Sequence, residues 1–254
     1  ARMSANYFDR PSEKLSMIGV TGTNGKTTTA YLIKSILEYC GIKSGLLGTI
    51  EYKIGDTVIP ATHTTPESLE LNEMLNAMIQ SGCQSAVMEV SSHALHQHRV
   101  HGIDFKAAVF TNLTQDHLDY HLSMDGYFKA KNMLFGKLTS GSCAIVNRDD
   151  EYGKNILEKT PARTISYGIT IPADVSAKNI SLSMNGMTFT IVHQGEGTAI
   201  ESQLTGRFNV SNILAAFGTG IALGINKKMI QAAIRETHAV RGRFEQITSS
   251  GGWT

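Results

Sequence analysis

The sequence predicts an α/β fold: a mostly parallel phosphate-loop sheet flanked by helices, with a smaller antiparallel subsheet. Three observations carry that expectation. An apolar run, Leu15–Val20, ends in a glycine turn followed by Lys26 and three threonines, the strand–turn–helix context that a phosphate loop requires. Continuous apolar strands then alternate with amphipathic helices as far as about residue 168, which favours parallel pairing through right-handed crossovers. Residues 174–204 switch to an alternating pattern centred on Asn185-Gly186, a strong hairpin signal.

Each element has a local cause. The first helix, 26–40, carries Tyr31, Leu32, Ile33, Ile36 and Leu37 at helical spacing, and Gly41 stops it. Residues 44–60 read as extended, with a turn at Gly55-Asp56. Pro66 is expected at the first position of a helix striped by Leu71, Met74, Leu75, Met78 and Ile79 and closed by Gly82. Strands follow at 85–90 and 107–112. Ser123 caps a helix over 124–138 that carries Tyr127, Phe128, Leu134, Phe135 and Leu138. Strands at 143–146 and 163–167 complete the parallel part. The antiparallel strands, turning again at Gly195-Glu196-Gly197, are expected to pack beside the main sheet, and two helices follow near 208–223 and 226–236.

Composition narrows the function classes. A chain of 254 residues can bury one large α/β core or two small ones. Hydrophobic residues at 41% and charged residues at 18% describe an ordinary globular protein, not a disordered one. A net charge of +1 with no basic run gives no case for nucleic acid or a membrane surface. No apolar stretch approaches the ~18 residues of a membrane span, and the first residues lack the apolar region of a secretory signal. Cys40, Cys83 and Cys143 are odd in number and far apart, so they read as small buried hydrophobes in a reducing cytoplasm.

The chemistry starts at the loop. Gly22 and Gly25 let the segment Gly22-Thr23-Asn24-Gly25 turn tightly enough to aim backbone N–H groups at phosphate oxygens. Lys26 can reach the outer phosphates, Thr27 can place its hydroxyl on Mg²⁺, and the helix that opens at Lys26-Thr27-Thr28 adds its positive end. The implied ligand is a nucleoside triphosphate.

Other polar clusters stand where strands end, the place where open parallel sheets bind ligands. They are Glu89–Arg99, Asn112–His121 and Thr62–Pro66, and together with the loop they are expected to meet in one crevice. Glu89 sits late in an apolar strand, where a carboxylate needs a metal ion or a salt bridge as partner. His117 and His121 are four apart, but Leu118 stands where a zinc protease needs Glu, and His93, His96, His98 and His101 match no standard metal spacing. By position alone Lys131 reads as a surface lysine and Asn209 and Asn212 as helix-capping residues. Arg243 offers a guanidinium for phosphate or ribose, or a plain surface charge.

The stretches Thr21–Thr28, His63–Pro66, Met88–Leu95, Asn112–His121, Ala130-Lys131, Gly206–Asn212 and Gly242–Glu245 run in order through nearly the whole chain. In combination the sequence resembles the Mur ligases, ATP-dependent amide-forming enzymes of bacterial cell-wall synthesis, and within them the branch that adds the third, diamino-acid residue. The resemblance implies a central ATP-binding domain over 15–240. Residues 1–14 and 241–254 are then linkers to an N-terminal and a C-terminal domain, and the chain alone is expected not to ligate. It implies ATP and Mg²⁺ as cofactors, with Lys26 on the β- and γ-phosphates and Thr27 on one Mg²⁺. Glu89, His117 and a carbamylated Lys131 would form a second Mg²⁺ site. Thr64, Thr65, Ser91, Gln97 and Arg99 would hold a UDP-N-acetylmuramoyl-dipeptide, Asn209 and Asn212 the adenine, and Arg243 the ribose-phosphate region. A diamino acid is the other substrate, and a monomeric cytoplasmic enzyme is expected. Folylpolyglutamate synthetase shares the implied fold and chemistry, but Thr27 and Thr28 follow Lys26 here where that family has Gly-Ser. A nonenzymatic Mur-like ATP-binding subunit is the remaining alternative.

Overall fold

The computed structural model describes residues 1–238. Its phosphate-loop strand, β1 (Ser16–Thr21), lies between two parallel neighbours, β5 (Ser85–Glu89) and β6 (Phe105–Phe110). Beyond β5 comes β2 (Ser44–Leu47), also parallel, and then the antiparallel pair β3 (Glu51–Ile54) and β4 (Thr57–Pro60). Beyond β6 run β7 (Cys143–Asn147) and β8 (Arg163–Gly168), again parallel. An antiparallel ribbon follows: β9 (Val175–Ser183), β10 (Gly186–His193) and β11 (Glu196–Ser202).

All of these strands form one 11-stranded sheet in the order β11-β10-β9-β8-β7-β6-β1-β5-β2-β3-β4. The antiparallel part therefore extends the main sheet instead of packing beside it. The join is local: Tyr167 and Gly168 of β8 pair in parallel with Val175 and Ser176 of β9. The Asp174 carboxylate holds the join by accepting from both the backbone N–H and the hydroxyl of Ser166, at 2.8 and 2.6 Å.

Side chains alternate along each strand, so the sheet has an apolar cluster on each face. One face gathers Ile18, Val20, Val87, Val109 and Ile145 with α2 (Lys26–Tyr39), α8 (Arg207–Ala222) and α9 (Lys227–Glu236). The other gathers Met17, Met88, Phe110 and Val146 with α3 (Ser68–Gln80), α6 (Met124–Asn132) and α7 (Glu151–Lys159). Three short helices complete the described chain: α1 (Arg2–Tyr7), α4 (Ser92–His96) and α5 (Leu118–His121). Residues 2–14 are more ordered than a linker pattern suggests, since α1 and a 3₁₀ turn over Pro11–Lys14 pack on α3.

Several boundaries differ from the sequence reading. Pro66 lies outside α3, whose extended N-cap is Glu67. The expected 124–138 helix ends at Asn132 and resumes as a 3₁₀ turn over Phe135–Lys137. Ser123 does cap it, accepting from the Gly126 N–H at 3.1 Å. The sequence reading has no counterpart to α7, whose Gly153 and Asn155 look turn-like. Gly153 is there because an added Cβ would lie 2.0 Å from the Asn147 carbonyl oxygen, so only glycine lets the helix pack this close to β7. Cys83 and Cys143 are buried, whereas Cys40 is only half-buried.

His193, at the end of β10, is 7% exposed, and its Nδ1 has no hydrogen-bond partner. Burial and the nearby Lys227 hold its imidazole below the usual histidine range, against the opposing pull of Asp174 and Glu196. The unfolded chain therefore takes up this proton first, so the associated stability is complete above about pH 6.5 and is lost as pH falls below it. Urea unfolding at pH 7.5 and pH 5.5 should show a smaller acid loss for His193→Gln than for the wild type.

Candidate functional site

The phosphate loop leaves β1 at Gly22, whose φ of +147° and missing Cβ let it approach β6; a Cβ there would sit 1.9 Å from Thr111 Oγ1. Gly25, left-handed at φ +84°, caps α2. The first helical bond runs from Thr29 N–H to Gly25 C=O, so the amides of Thr27 and Thr28 have no partner inside the helix. They open toward a cleft of about 490 Å³ that the loop lines, with the positive end of the α2 dipole behind them. The preceding amides are committed to protein: Thr23 N–H donates to the Asn112 carbonyl at 2.8 Å and Asn24 N–H to Asn112 Oδ1 at 2.9 Å. The Lys26 ammonium folds back over the loop, donating to the Gly22 and Thr23 carbonyls at 3.0 and 2.8 Å.

Glu89 faces the start of α2 and is fully buried. Among the described residues its carboxylate forms no salt bridge and is held by neutral donors. The Thr27 hydroxyl donates to Oε2 at 3.0 Å, Thr49 N–H to Oε1 at 2.9 Å and the Thr49 hydroxyl to Oε2 at 3.0 Å. Gly48 makes room for it, since a Cβ there would meet Oε1 at 2.6 Å.

Lys131 is no surface lysine; it is 1% exposed. Its Nζ donates to the Gly22 carbonyl at 2.8 Å and lies 4.4 Å from the centroid of the Tyr127 ring. Burial, with Lys26 nearby, holds its pKa well below the lysine range, so the amine is neutral more readily than an ordinary lysine. His117, left-handed at φ +50° and exposed, joins a knot of rings: it meets His93 edge-on at 4.8 Å and Tyr127 at 6.0 Å. His121 stacks on Tyr127 and is pushed down to about 4 by burial and by His93 and His96. Among the described residues no group of three or more His, Cys, Asp or Glu is gathered to hold a metal ion.

The remaining expected residues fall into two groups. Thr64 reaches Thr49 Oγ1 at 3.2 Å, while the Thr65 hydroxyl donates to the Glu89 carbonyl at 2.8 Å and Ser91 N–H to Thr65 Oγ1 at 3.0 Å. Arg99 ties the group together, donating to the Thr65 carbonyl and Gln97 Oε1 and pairing with Glu67 at 2.9 Å. Asn209 and Asn212 lie across the cleft and belong to one amide chain. Asn209 Nδ2 donates to the Thr205 carbonyl, Asn212 Nδ2 to Asn209 Oδ1, and the Thr29 hydroxyl to Asn212 Oδ1. Arg243 lies outside the described residues.

Sequence reasoning did not single out Thr49, Asn112, Tyr127 or Phe208. Asn112 opens one of the polar strand ends and was legible there. Thr49 has no local signal, because only the pairing of β2 with β5 brings it to Glu89. Phe208, 47% exposed at the cleft wall, has no local signal either, because its exposure follows from where α8 starts.

Fold and loop together define a phosphate-loop nucleotide-binding α/β domain. A model of the Mur ligase middle domain matches residues 20–220, so the chain belongs to that family. It is 43% identical over 260 residues to the UDP-N-acetylmuramoyl-L-alanyl-D-glutamate–2,6-diaminopimelate ligase of Geobacter sulfurreducens, covering 100% of this chain and 51% of that protein. The enzyme of the same name from Bacillus cereus is 44% identical over 257 residues, with 98% and 52% covered. A solved structure of a ligase of that name superposes with a TM-score of 0.88 at 31% identity, over 98% of this chain and 52% of that one. MurF from Acinetobacter baumannii, at 22% identity and a TM-score of 0.81, shares the fold. The chain thus spans about half the length of the relatives it matches.

At Gly25, alanine would need the left-handed backbone and would place its Cβ 2.4 Å from Asn212 Oδ1. Gly25→Ala should lower stability by about 1–3 kcal/mol, read as a fall in Tm, whereas alanine at open Gly136 should change it little.

Proposed function

We propose that this chain is the ATP-binding core of a ligase that adds diaminopimelate to UDP-N-acetylmuramoyl-L-alanyl-D-glutamate, making peptidoglycan precursor in the cytoplasm. The observation that carries the reading is the Thr27 hydroxyl bonded to fully buried Glu89 at the mouth of α2, beside the open amides of Thr27 and Thr28. The names of the relatives supply the substrates. No helix among the described residues is long and apolar enough to cross a membrane. The family match over residues 20–220 and the half-length coverage support a central domain over 15–240, with α1 of the preceding segment packed on α3, and the protein is proposed to work as a monomer.

The donor set suits Mg²⁺, which favours a few hard oxygens and keeps waters and phosphate oxygens as its other ligands. Thr27 would hold one ion, and Glu89, His117 and a carbamylated Lys131 would hold a second. When bound, Mg²⁺ neutralises charge on the β- and γ-phosphates. Lys26 leaves its loop carbonyls for those phosphates, and the open amides of Thr27 and Thr28 take phosphate oxygens. Asn209 and Asn212 set the adenine side of the cleft, and Arg243 serves the ribose and phosphate side. Thr64, Thr65, Ser91, Gln97 and Arg99 line the approach of the muramoyl-dipeptide, with Arg99 also bonded to the Thr65 carbonyl.

In the reaction, a carboxylate oxygen of the dipeptide bonds to the γ-phosphorus and the bond to ADP breaks. The amine of the incoming residue then forms the C–N bond, phosphate leaves, and the amine's proton goes to solvent. Such steps depend on positioning and charge neutralisation. The buried Lys131 amine, depressed toward its neutral form, is suited to add CO₂ and release a proton, giving a carbamate in place of a cation.

Titration of labelled ATP should show Mg²⁺-dependent binding by the wild type and at least a tenfold loss in Lys26→Ala; equal affinity with and without Mg²⁺ and in both proteins would overturn the reading. In ¹³C-bicarbonate with Mg²⁺ and nucleotide, the wild type should give a carbamate resonance that Lys131→Ala lacks. A spectrum identical for the two proteins removes the modification from the mechanism.

A further inference from the structure

Tyr127 is buried to 1% exposure in α6 and does not line the cleft, yet three contacts tie it to the site. Its hydroxyl lies 3.3 Å from Thr23 Oγ1. The Thr23 hydroxyl donates to the Thr114 carbonyl at 3.2 Å and accepts from Thr114 N–H at 3.0 Å. With its one proton spent, Thr23 has a lone pair left, and Tyr127 is the donor. The ring face carries the Lys131 nitrogen at 4.4 Å, and His121 stacks on the ring at 5.1 Å.

Tyr127 and Lys131 are four residues apart, hence neighbours on one side of α6. They bond to consecutive residues of the phosphate loop: Lys131 to the Gly22 carbonyl and Tyr127 to the Thr23 side chain. Thr23 in turn begins the pair of amides that Asn112 holds. We propose that Tyr127 is a positioning residue for the phosphate loop, fixing Thr23 with its hydroxyl and seating Lys131 against Gly22 with its ring.

The inference rests on the nucleotide reading of this loop, but its first consequence belongs to the free protein. Fixing Thr23 presets the curvature that aims the amides of Thr27 and Thr28, so ordering that ATP would otherwise have to impose is already present. A tyrosine that merely filled the core would affect global stability and leave the loop unchanged.

The test uses the 254-residue chain as wild type, Tyr127→Phe, Thr23→Ala and the double variant. Phenylalanine keeps the ring, the stack and the contact with Lys131 and removes only the hydroxyl. Hydrogen exchange in the free protein should be about fivefold faster at the Thr23 and Asn24 amides in Tyr127→Phe, with amides of β9–β11 unchanged. Mg-ATP affinity should fall by about three- to tenfold, and the double variant should bind no more weakly than Thr23→Ala alone. Unchanged exchange at residues 23 and 24, or fully additive effects in the double variant, would overturn the proposal. If the wild type binds no Mg-ATP, it is the nucleotide reading that fails, and the exchange rates still decide the role of Tyr127.

Discussion

The grip of the segment after β6 on the phosphate loop is the constraint on which the cleft depends. A tight loop between strand and helix would not hold a single shape through its own bonds. Here Asn112 takes the amides of Thr23 and Asn24, its Nδ2 reaches the Asn24 carbonyl at 3.1 Å, and the Thr111 hydroxyl reaches the same carbonyl at 2.6 Å. Thr114 holds Thr23 from the far side. The gripping segment is itself supported: Tyr167 donates to the Phe110 carbonyl, Asn147 Nδ2 to the Thr111 carbonyl, and Asp150 accepts from Leu113 N–H. Four adjacent parallel strands, β1, β6, β7 and β8, therefore act on one turn of backbone.

That chain of support follows from the sheet. Parallel pairing brings all the carboxyl ends to one edge, and the register sets what meets there: Val20 opposite Glu89, Thr21 opposite Phe110, Asn147 opposite Tyr167. Two ionisable groups are buried on either side of the loop, in different polar surroundings. Glu89 accepts three hydrogen bonds from Thr27 and Thr49. Among the described residues Lys131 has one carbonyl acceptor and a ring face, and burial, with Lys26 nearby, lowers its pKa.

The parallel half of the fold was legible because its signals are local: apolar runs, the glycines at 22, 25, 41 and 82, and the cap at Ser123. The helix over 151–159 was not, because Gly153 answers to the Asn147 carbonyl beyond its own helix. The place of the antiparallel ribbon was hidden for a similar reason, since two residue pairs and Asp174 decide it. At the site, the loop and Glu89 stood out because a Gly-Lys-Thr turn and an acid in an apolar strand break local expectation. Lys131 carried no such mark. Its burial comes from the way α6 crosses the loop, and only the family resemblance singled it out.

The side of the cleft that carries Asn209 and Asn212 depends on the part of the molecule that departs from the parallel pattern. Asn212 reaches Gly25 from α8, so the position of α8 sets the width of the cleft at the loop. α8 is buried almost all round, between the sheet, α2 and α9. Gly218 lets it approach Ile145 and Ile165, and at Gly220 a Cβ would lie 2.6 Å from Ile230. Ile230 and Ile234 of α9 share their apolar cluster with Phe189, Ile191 and Ile200 of the ribbon. The ribbon is thus the floor on which α9 rests and against which α8 is wedged.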